Sequence, residues 1–410
     1  MKVNSGDTAW VLGSAALVLF MTPGLALFYG GMVRAKNMLA MLMQNFICMG
    51  IVAVLWVTLG YTLAFGRLGD GGWIGNFNFV GMRGLTSATI GTIPVLAFAS
   101  FQLTFAVITP ALITGAIADR LRFGAWVPFV VAWSLLVYAP VAHWVFAGGW
   151  LASRGALDFA GGTVVHVNAG AAALALVLIL GPRRGWPKEP MPPHSLPLTM
   201  LGTGILWFGW FGFNAGSALA ANGVAAQAFL NTFVAASAGM LGWLIVERVK
   251  VGHATTLGAA SGAVAGLVAI TPCAGFVGAL PAVAIGAFAG IVCFLAISMK
   301  FRFGYDDALD VVGVHLVGGI VGSILLGLFA DRSVNAHGAN GVFFGGGWHL
   351  FGEQVFAVAV VFTFSFVMSG AIALVLDRVL RGGIRVSEDD EAGGLDLALH
   401  SENAYALDRA

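Results

Sequence analysis

Two histidines carry most of the chemistry this chain could do. His166 lies in "GGTVVHVNAG" (Gly161–Gly170) and His315 in "DVVGVHLVGG" (Asp310–Gly319), both otherwise almost wholly apolar stretches. In a soluble protein a lone histidine on an apolar helix is more often a hydrogen-bonded core residue than a working one. In a membrane span the balance reverses, because ionisable groups there are costly and line pathways. A metal site would need further His, Cys or Glu ligands on the same faces. Nucleophilic catalysis would need a Ser or Cys set against a base. The sequence offers neither pattern, so no enzyme activity, metal or cofactor is expected. What remains is hydrogen bonding and proton handling. Desolvation favours uncharged imidazole, and each neutral ring has one donor and one acceptor. Two facing rings can share one proton and turn their remaining edges to a narrow lumen. That suits a small polar molecule, or a proton handed along.

The elements that must position these rings are membrane helices. Of the 410 residues 59% are hydrophobic and 10% charged, against about 25% charged in a soluble domain. The 58 glycines let helices approach closely, as membrane bundles require. Cys48, Cys273 and Cys293 lie in apolar runs without CxxC spacing and indicate neither a disulfide framework nor a metal site. A net charge of +1 gives no pointer to nucleic acid. Met1–Thr8 is too polar, and the apolar run behind it too long, for a cleavable signal.

Runs of about the ~20 residues that cross the hydrocarbon fall near 9–33, 39–65, 88–118, 124–148, 161–181, 196–218, 225–246, 255–273, 275–298, 309–330 and 348–379. An all-α polytopic protein of eleven transmembrane helices is therefore expected, the last running on past the bilayer. With the N-terminus outside, fifteen of the 20 Lys and Arg fall on the cytoplasmic side, from Arg34 to Arg409, as the positive-inside rule requires. The expected organisation is a first half over 1–181 and a cytoplasmic linker over 182–194. A second half follows over 195–330, then the eleventh helix over 347–380 and a cytoplasmic tail over 381–410. Five spans per half means two repeats of inverted topology, which place a working site at their interface near midplane. His166 and His315 fall in the fifth member of each half and are expected to be partners.

Three further features have bland readings beside the functional ones. In "FQLTFA" (Phe101–Ala106), Phe101 and Phe105 share a helical face, which ordinary packing would also explain. In "WFGWFGFNAGSA" (Trp207–Ala218) the aromatic residues could form an interfacial belt. Asp158, in "GALDFAGG", reads first as a helix N-cap and only second as part of an external cation site.

Taken with "ALFYGGMVRAKN" (Ala26–Asn37), "GVHLVGGIVG" (Gly313–Gly322) and the tail "GLDLALHSENAY" (Gly394–Tyr405), these motifs run in order along essentially the whole chain. In them the sequence resembles the ammonium transporters of the Amt/Mep/Rh family, in its bacterial Amt branch. The resemblance implies a homotrimer in the cell (plasma or inner) membrane, each subunit with its own pore. It assigns His166 and His315 to the twin pore histidines, and Phe105 and Phe213 to stacked rings closing the outer mouth, with Phe101 nearby. Ser217 and Asp158 then belong to the external ammonium site, Trp210 and Thr271 to the pore lining. One position departs: Phe146, in "AHWVFAGG", stands where many bacterial members have tryptophan. Trp144 is about 200° round the helix and unsuited to replace it. Phenylalanine still offers a π-face, though a poorer one for a cation. The resemblance also implies a folded tail and a cytoplasmic surface where a PII-type signalling protein docks.

Physical chemistry then constrains transport. Aromatic faces can hold ammonium at the mouth, worth about 1–2 kcal/mol. Stripping the cation into an apolar lumen costs far more, so deprotonation at the mouth and passage of ammonia is expected. The resemblance implies that the released proton follows along the histidines. Potassium has no proton to give up. Two alternatives stay open, a neutral ammonia gas channel and a membrane ammonium sensor with weak transport. A water or glycerol channel would carry paired Asn-Pro-Ala motifs, and the sequence has none.

Overall fold

The computed structural model describes Lys2 to Tyr405; Arg409, counted above on the cytoplasmic side, and the end of the tail lie outside the described residues. Among the described residues, ten helices are long and apolar enough to cross a membrane. In chain order they are α1 (Ser5–Met32), α2 (Ala35–Phe65), α3 (Val95–Ile117), α4 (Phe123–Ser153), α5 (Gly162–Leu180), α6 (Leu196–Gly216) and α7 (Gly223–Val251). After a shorter apolar helix, α8 (Thr256–Ile270), come α9 (Ala279–Phe303), α10 (Val312–Phe329) and α11 (His349–Val379). The expected spans recur in place with two differences. The run from residue 88 enters its helix only at Val95, because Thr89–Ile90 and Ile93–Pro94 pair as a small hairpin. The eighth run is a helix of 15 residues, about 22 Å long, which ends where Thr271–Phe276 turns within the core.

Local sequence explains the ends. Side-chain caps open α1 (Asn4 to Asp7 N–H, 3.1 Å), α7 (Asn222 to Ala225 N–H, 3.1 Å) and α8 (Thr255 to Gly258 N–H, 2.8 Å). Gly252, at φ 97°, ends α7. Packing follows from small residues. Gly202, Gly209 and Gly216 recur every seventh residue along α6, and each lies against α1, at Phe28, Met21 and Ser14. α1 and α6 thereby run in close contact.

The chain beyond α11 folds back as two short helices, α12 (Glu388–Gly393) and α13 (Leu395–His400). It is tied to the loop between α3 and α4 and to the start of α2. Val386 N–H donates to Arg120 O at 3.0 Å, Leu395 N–H to Asn37 Oδ1 at 2.8 Å and Ala40 N–H to Asp396 Oδ1 at 2.8 Å. Behind it lies a buried ionic cluster in which Arg183 forks onto Asp306 (2.8 and 2.9 Å) and Arg120 stands 3.7 Å from the same carboxylate. Burial alone would raise the Asp306 carboxyl, but the Arg183 hydrogen bonds hold it below its ordinary range.

α5 and α10 cross this bundle in opposite directions. α5 ends at the tail face, where Arg385 donates to Leu180 O at 2.6 Å. α10 starts beside the ionic cluster and ends at the far face, where Asp331 N–H donates to Phe276 O at 2.8 Å.

Candidate functional site

Both histidines sit in a widened first turn. His166 N–H reaches back five residues to Gly161 O at 3.1 Å instead of four, and Val312–Leu316 forms the same wide turn in α10. Such turns are frequent at functional sites because they re-aim a side chain. Each is capped by a carboxylate eight residues before its histidine. Asp158 Oδ1 accepts from Gly161 and Gly162 N–H at 2.7 Å each. Its Oδ2 accepts Thr163 N–H (2.8 Å), Thr163 Oγ1 (2.6 Å) and Val164 N–H (3.3 Å). Asp307 accepts from Val311 and Val312 N–H at 3.0 and 2.7 Å. One turn after each histidine a glycine lets the other helix in. A Cβ on Gly170 would stand 2.6 Å from Leu316 N, and one on Gly319 would stand 3.0 Å from Gly162 O.

The two turns bring His166 Nδ1 and His315 Nδ1 to 3.3 Å, the rings nearly parallel at 17°. Both are almost fully buried, at 1% and 3% exposure. His315 Nε2 faces the Tyr29 hydroxyl at 3.4 Å, and Tyr29 O–H is 3.1 Å from Leu112 O. A carbonyl can only accept, so Tyr29 donates to Leu112 and accepts from His315 Nε2–H. A neutral His315 then has a bare Nδ1, which takes the hydrogen of His166 Nδ1. His166 Nε2 is left bare and without a protein partner.

Above this pair the aromatic residues form a column. Trp210 lies over His166 (5.5 Å between centroids, 20°), and Phe213 stacks on Phe105 at 4.1 Å and 28°. His166, His315, Trp210 and Phe213 line a cavity whose remaining wall is apolar, including Leu25, Phe28 and Ile108. It has about 10 Å³ of room for the centre of a water-sized molecule, close to the minimum for one such molecule. A hydrated ion does not fit. A small neutral hydrogen-bonding molecule does.

On the other side of the Phe105–Phe213 stack is a vestibule with about 300 Å³ of room by the same measure. Phe146, Asp158 and Ser217 all line it. Phe146 stands edge-on to Phe105 at 6.2 Å and 89°. Ser217 Oγ donates to Phe213 O at 2.8 Å, which leaves its lone pairs open. Asp158 lines the space but its oxygens are committed to the α5 turn. Trp144 is elsewhere, with its indole N–H on Trp73 O at 2.6 Å.

Two expected lining residues take positions behind the column. Phe101 packs edge-on to Phe105 at 4.9 Å and is fully buried. Thr271 Oγ1 accepts the Trp210 indole N–H at 2.9 Å and donates to Leu267 O at 2.8 Å, so it orients Trp210. The reading of the sequence missed Tyr29 and Gln102. Gln102 lines the vestibule with a buried Oε1 that has no partner. The eight-residue Asp-to-His spacing, repeated at Asp158–His166 and Asp307–His315, was the available signal for the caps.

An all-helical membrane protein with a one-molecule cavity between two antiparallel histidine turns defines the class. A profile described as Ammonium Transporter Family matches residues 9–405, and the chain belongs to that family. It is 50% identical to an ammonium transporter of Mycobacterium tuberculosis over 98% of this chain and 90% of that one. It is 49% identical to an ammonium transporter of Bacillus subtilis over 98% and 99%. The crystal structure of Candida albicans Mep2 superposes with a TM-score of 0.91 at 35% identity, covering 99% of this chain and 94% of that one.

Proposed function

We propose that this chain moves ammonium across the membrane by recruiting the cation in the vestibule, deprotonating it at the Phe105–Phe213 stack and passing ammonia between His166 and His315. The released proton follows along the histidine pair. The observation that carries this reading is the Nδ1–Nδ1 contact of 3.3 Å within a cavity too small for a hydrated ion. A potassium ion would have to enter bare, at a desolvation cost the apolar wall cannot repay. Ammonia enters neutral and donates to the bare His166 Nε2. In the vestibule, Phe146 and Phe105 supply π-faces, and Ser217 and Gln102 supply acceptors.

In this reading the chain crosses the plasma (inner) membrane eleven times, α8 included. The vestibule is outside and the tail face is cytoplasmic. Residues 1–181 and 195–330 are inverted repeats, supported by the matched Asp–His turns of α5 and α10. Three copies form a homotrimer, and the tail face is the docking surface for a PII-type protein.

Flux into liposomes with ammonium, methylammonium and potassium tests the reading. Ammonium-driven, potassium-excluding charge movement is expected. Silent flux with retained ammonium binding would make the chain a sensor, and uptake without charge movement a gas channel.

A further inference from the structure

A vestibule that concentrates a cation would be expected to use a free carboxylate, yet the one it contains is spent. Both Asp158 oxygens are occupied, by the five donors at the α5 turn. Removing its charge would weaken all of those charge-assisted bonds together. Among the described residues, the one other titratable side chain lining this space is His337.

His337 stands in the loop between α10 and α11, in a turn that holds its backbone. Its N–H donates to Asn335 Oδ1 at 3.1 Å, and Gly338 N–H donates to Asn335 O at 2.9 Å. Asn335 is only 8% exposed, and a Cβ on Gly338 would lie 2.8 Å from the Phe276 ring, itself part of the vestibule wall. The turn is therefore seated, and it presents an exposed imidazole to the space shared by Phe146, Ser217 and Gln102.

We propose that His337 is a specificity residue of ammonium recruitment, through which external pH sets the affinity of the vestibule. Its neutral ring adds a hydrogen-bond acceptor for the cation, and its protonated ring repels it. The inference rests on the vestibule being the ammonium site. The groups facing His337 from α3, α4 and the α6–α7 turn are uncharged: Gln102, Phe146, Ser217 and Asn222. From the α5 entry the facing group is Asp158. On its own loop stand Arg332, whose Nη2 donates to Ala336 O at 3.3 Å, and Asp331, whose Oδ1 accepts Ser333 N–H at 2.8 Å. Arginine keeps its charge throughout, and both carboxylates hold backbone donors. Histidine is the side-chain type whose charge changes between about pH 5 and 8. One added positive charge in a partly solvated vestibule weakens cation binding by roughly three- to tenfold.

The test is calorimetric binding of methylammonium to the full chain in nanodiscs at about pH 5.5 and 7.5, spanning the histidine range. The wild type is expected to bind roughly three- to tenfold more weakly at the lower pH. His337→Gln should bind with one affinity at both values, and His337→Arg should hold the weak affinity at both. Acid weakening that persists undiminished in His337→Gln overturns the assignment and leaves the vestibule reading intact. Absence of methylammonium binding in every variant at both pH values overturns the vestibule reading and this inference with it.

Discussion

In α5 the Asp158 carboxylate gathers five donors beside an open vestibule, and the histidine it positions keeps a bare Nε2. In α10 the matching Asp307 gathers two backbone donors and is 1% exposed, and its histidine is held at Nε2 by Tyr29. The turns share their spacing, wide geometry and capping chemistry, but not their surroundings. The opposite directions of α5 and α10 put one cap at the vestibule and the other beside the ionic cluster of the tail face. Two matched turns can therefore present one open histidine and one anchored histidine to the same cavity. Under the proposed function the difference assigns roles: His166 would meet the passing molecule, and His315 would fix which nitrogen it meets.

Removing both rings breaks the comparison outright. His166→Ala with His315→Ala should lower charge-coupled ammonium uptake by at least about tenfold, roughly what loss of one well-placed proton-handling group costs. Potassium exclusion should weaken at the same time. The single variants sharpen the test, because His166→Ala should be the more damaging of the two. Unchanged currents and unchanged potassium exclusion in the double variant would defeat the relay.

The caps come next. Asp158→Ala orphans the donors of the α5 turn and should destabilise the protein by about 2–4 kcal/mol, more than one ordinary cap is worth. Asp307→Ala, with fewer donors to lose, should cost less. Thermal midpoints of the two variants in one detergent decide the order, and a larger loss at Asp307 would contradict the count of bonds.

Asp307 also has a pH signature that follows from its setting. Burial, reinforced by the neighbouring Asp310 carboxylate, pushes its carboxyl from 3.8 up to about 6. Between those values the folded chain holds a proton that the unfolded chain has released. Stability should therefore fall as pH rises through that window, by about 2 kcal/mol. Asp307→Asn, which cannot ionise, should flatten the midpoint-against-pH curve between about 4 and 6. A variant as steep as the wild type would place the titration elsewhere.

Tyr29→Phe removes the oxygen that accepts from His315 and leaves the fold otherwise packed. The cost to stability should be about 1 kcal/mol, the worth of one hydrogen bond. Uptake should fall by roughly three- to tenfold, because His315 can then turn either nitrogen to His166. A fall in thermal midpoint without a fall in uptake would make Tyr29 a packing residue.

Which of these residues could be read beforehand depends on how far their meaning is local. Apolar runs long enough to span reveal themselves in any window, and ten of them became long helices in place. The eighth is a helix shorter than its apolar run, because composition does not record where a buried turn cuts a helix short, as at Thr271. The histidines stood out because each is costly in its own apolar surroundings. Tyr29 is 286 positions from His315 and sits in an ordinary glycine-rich span, so only packing gives its hydroxyl a purpose. Gln102 was within a quoted motif, yet nothing local says that its amide oxygen goes unpaired. The aromatic run of α6 was ambiguous because it serves two purposes: Phe208 is 57% exposed, whereas Trp210 and Phe213, three apart on one face, are buried in the column.

The smallest expected effect concerns the departure at Phe146. Its ring lines the vestibule and packs edge-on against Phe105, so a cation in the proposed site meets the vestibule side of the Phe146 ring. Indole is the stronger cation–π partner, and at a partly solvated site the gain is a fraction of the about 0.5–1 kcal/mol total. Phe146→Trp should therefore lower the KM for methylammonium by roughly two- to threefold with an unchanged maximal rate. The vestibule has room for the larger ring, although Phe146 already lies near Gly161, whose added Cβ would stand 3.6 Å from its Cζ. Because the ring lines the vestibule and not the histidine cavity, a lowered maximal rate would mean that the indole disturbs the α5 turn. An unchanged KM would mean that affinity is set by Phe105, Ser217 and Gln102 rather than by the wall that varies.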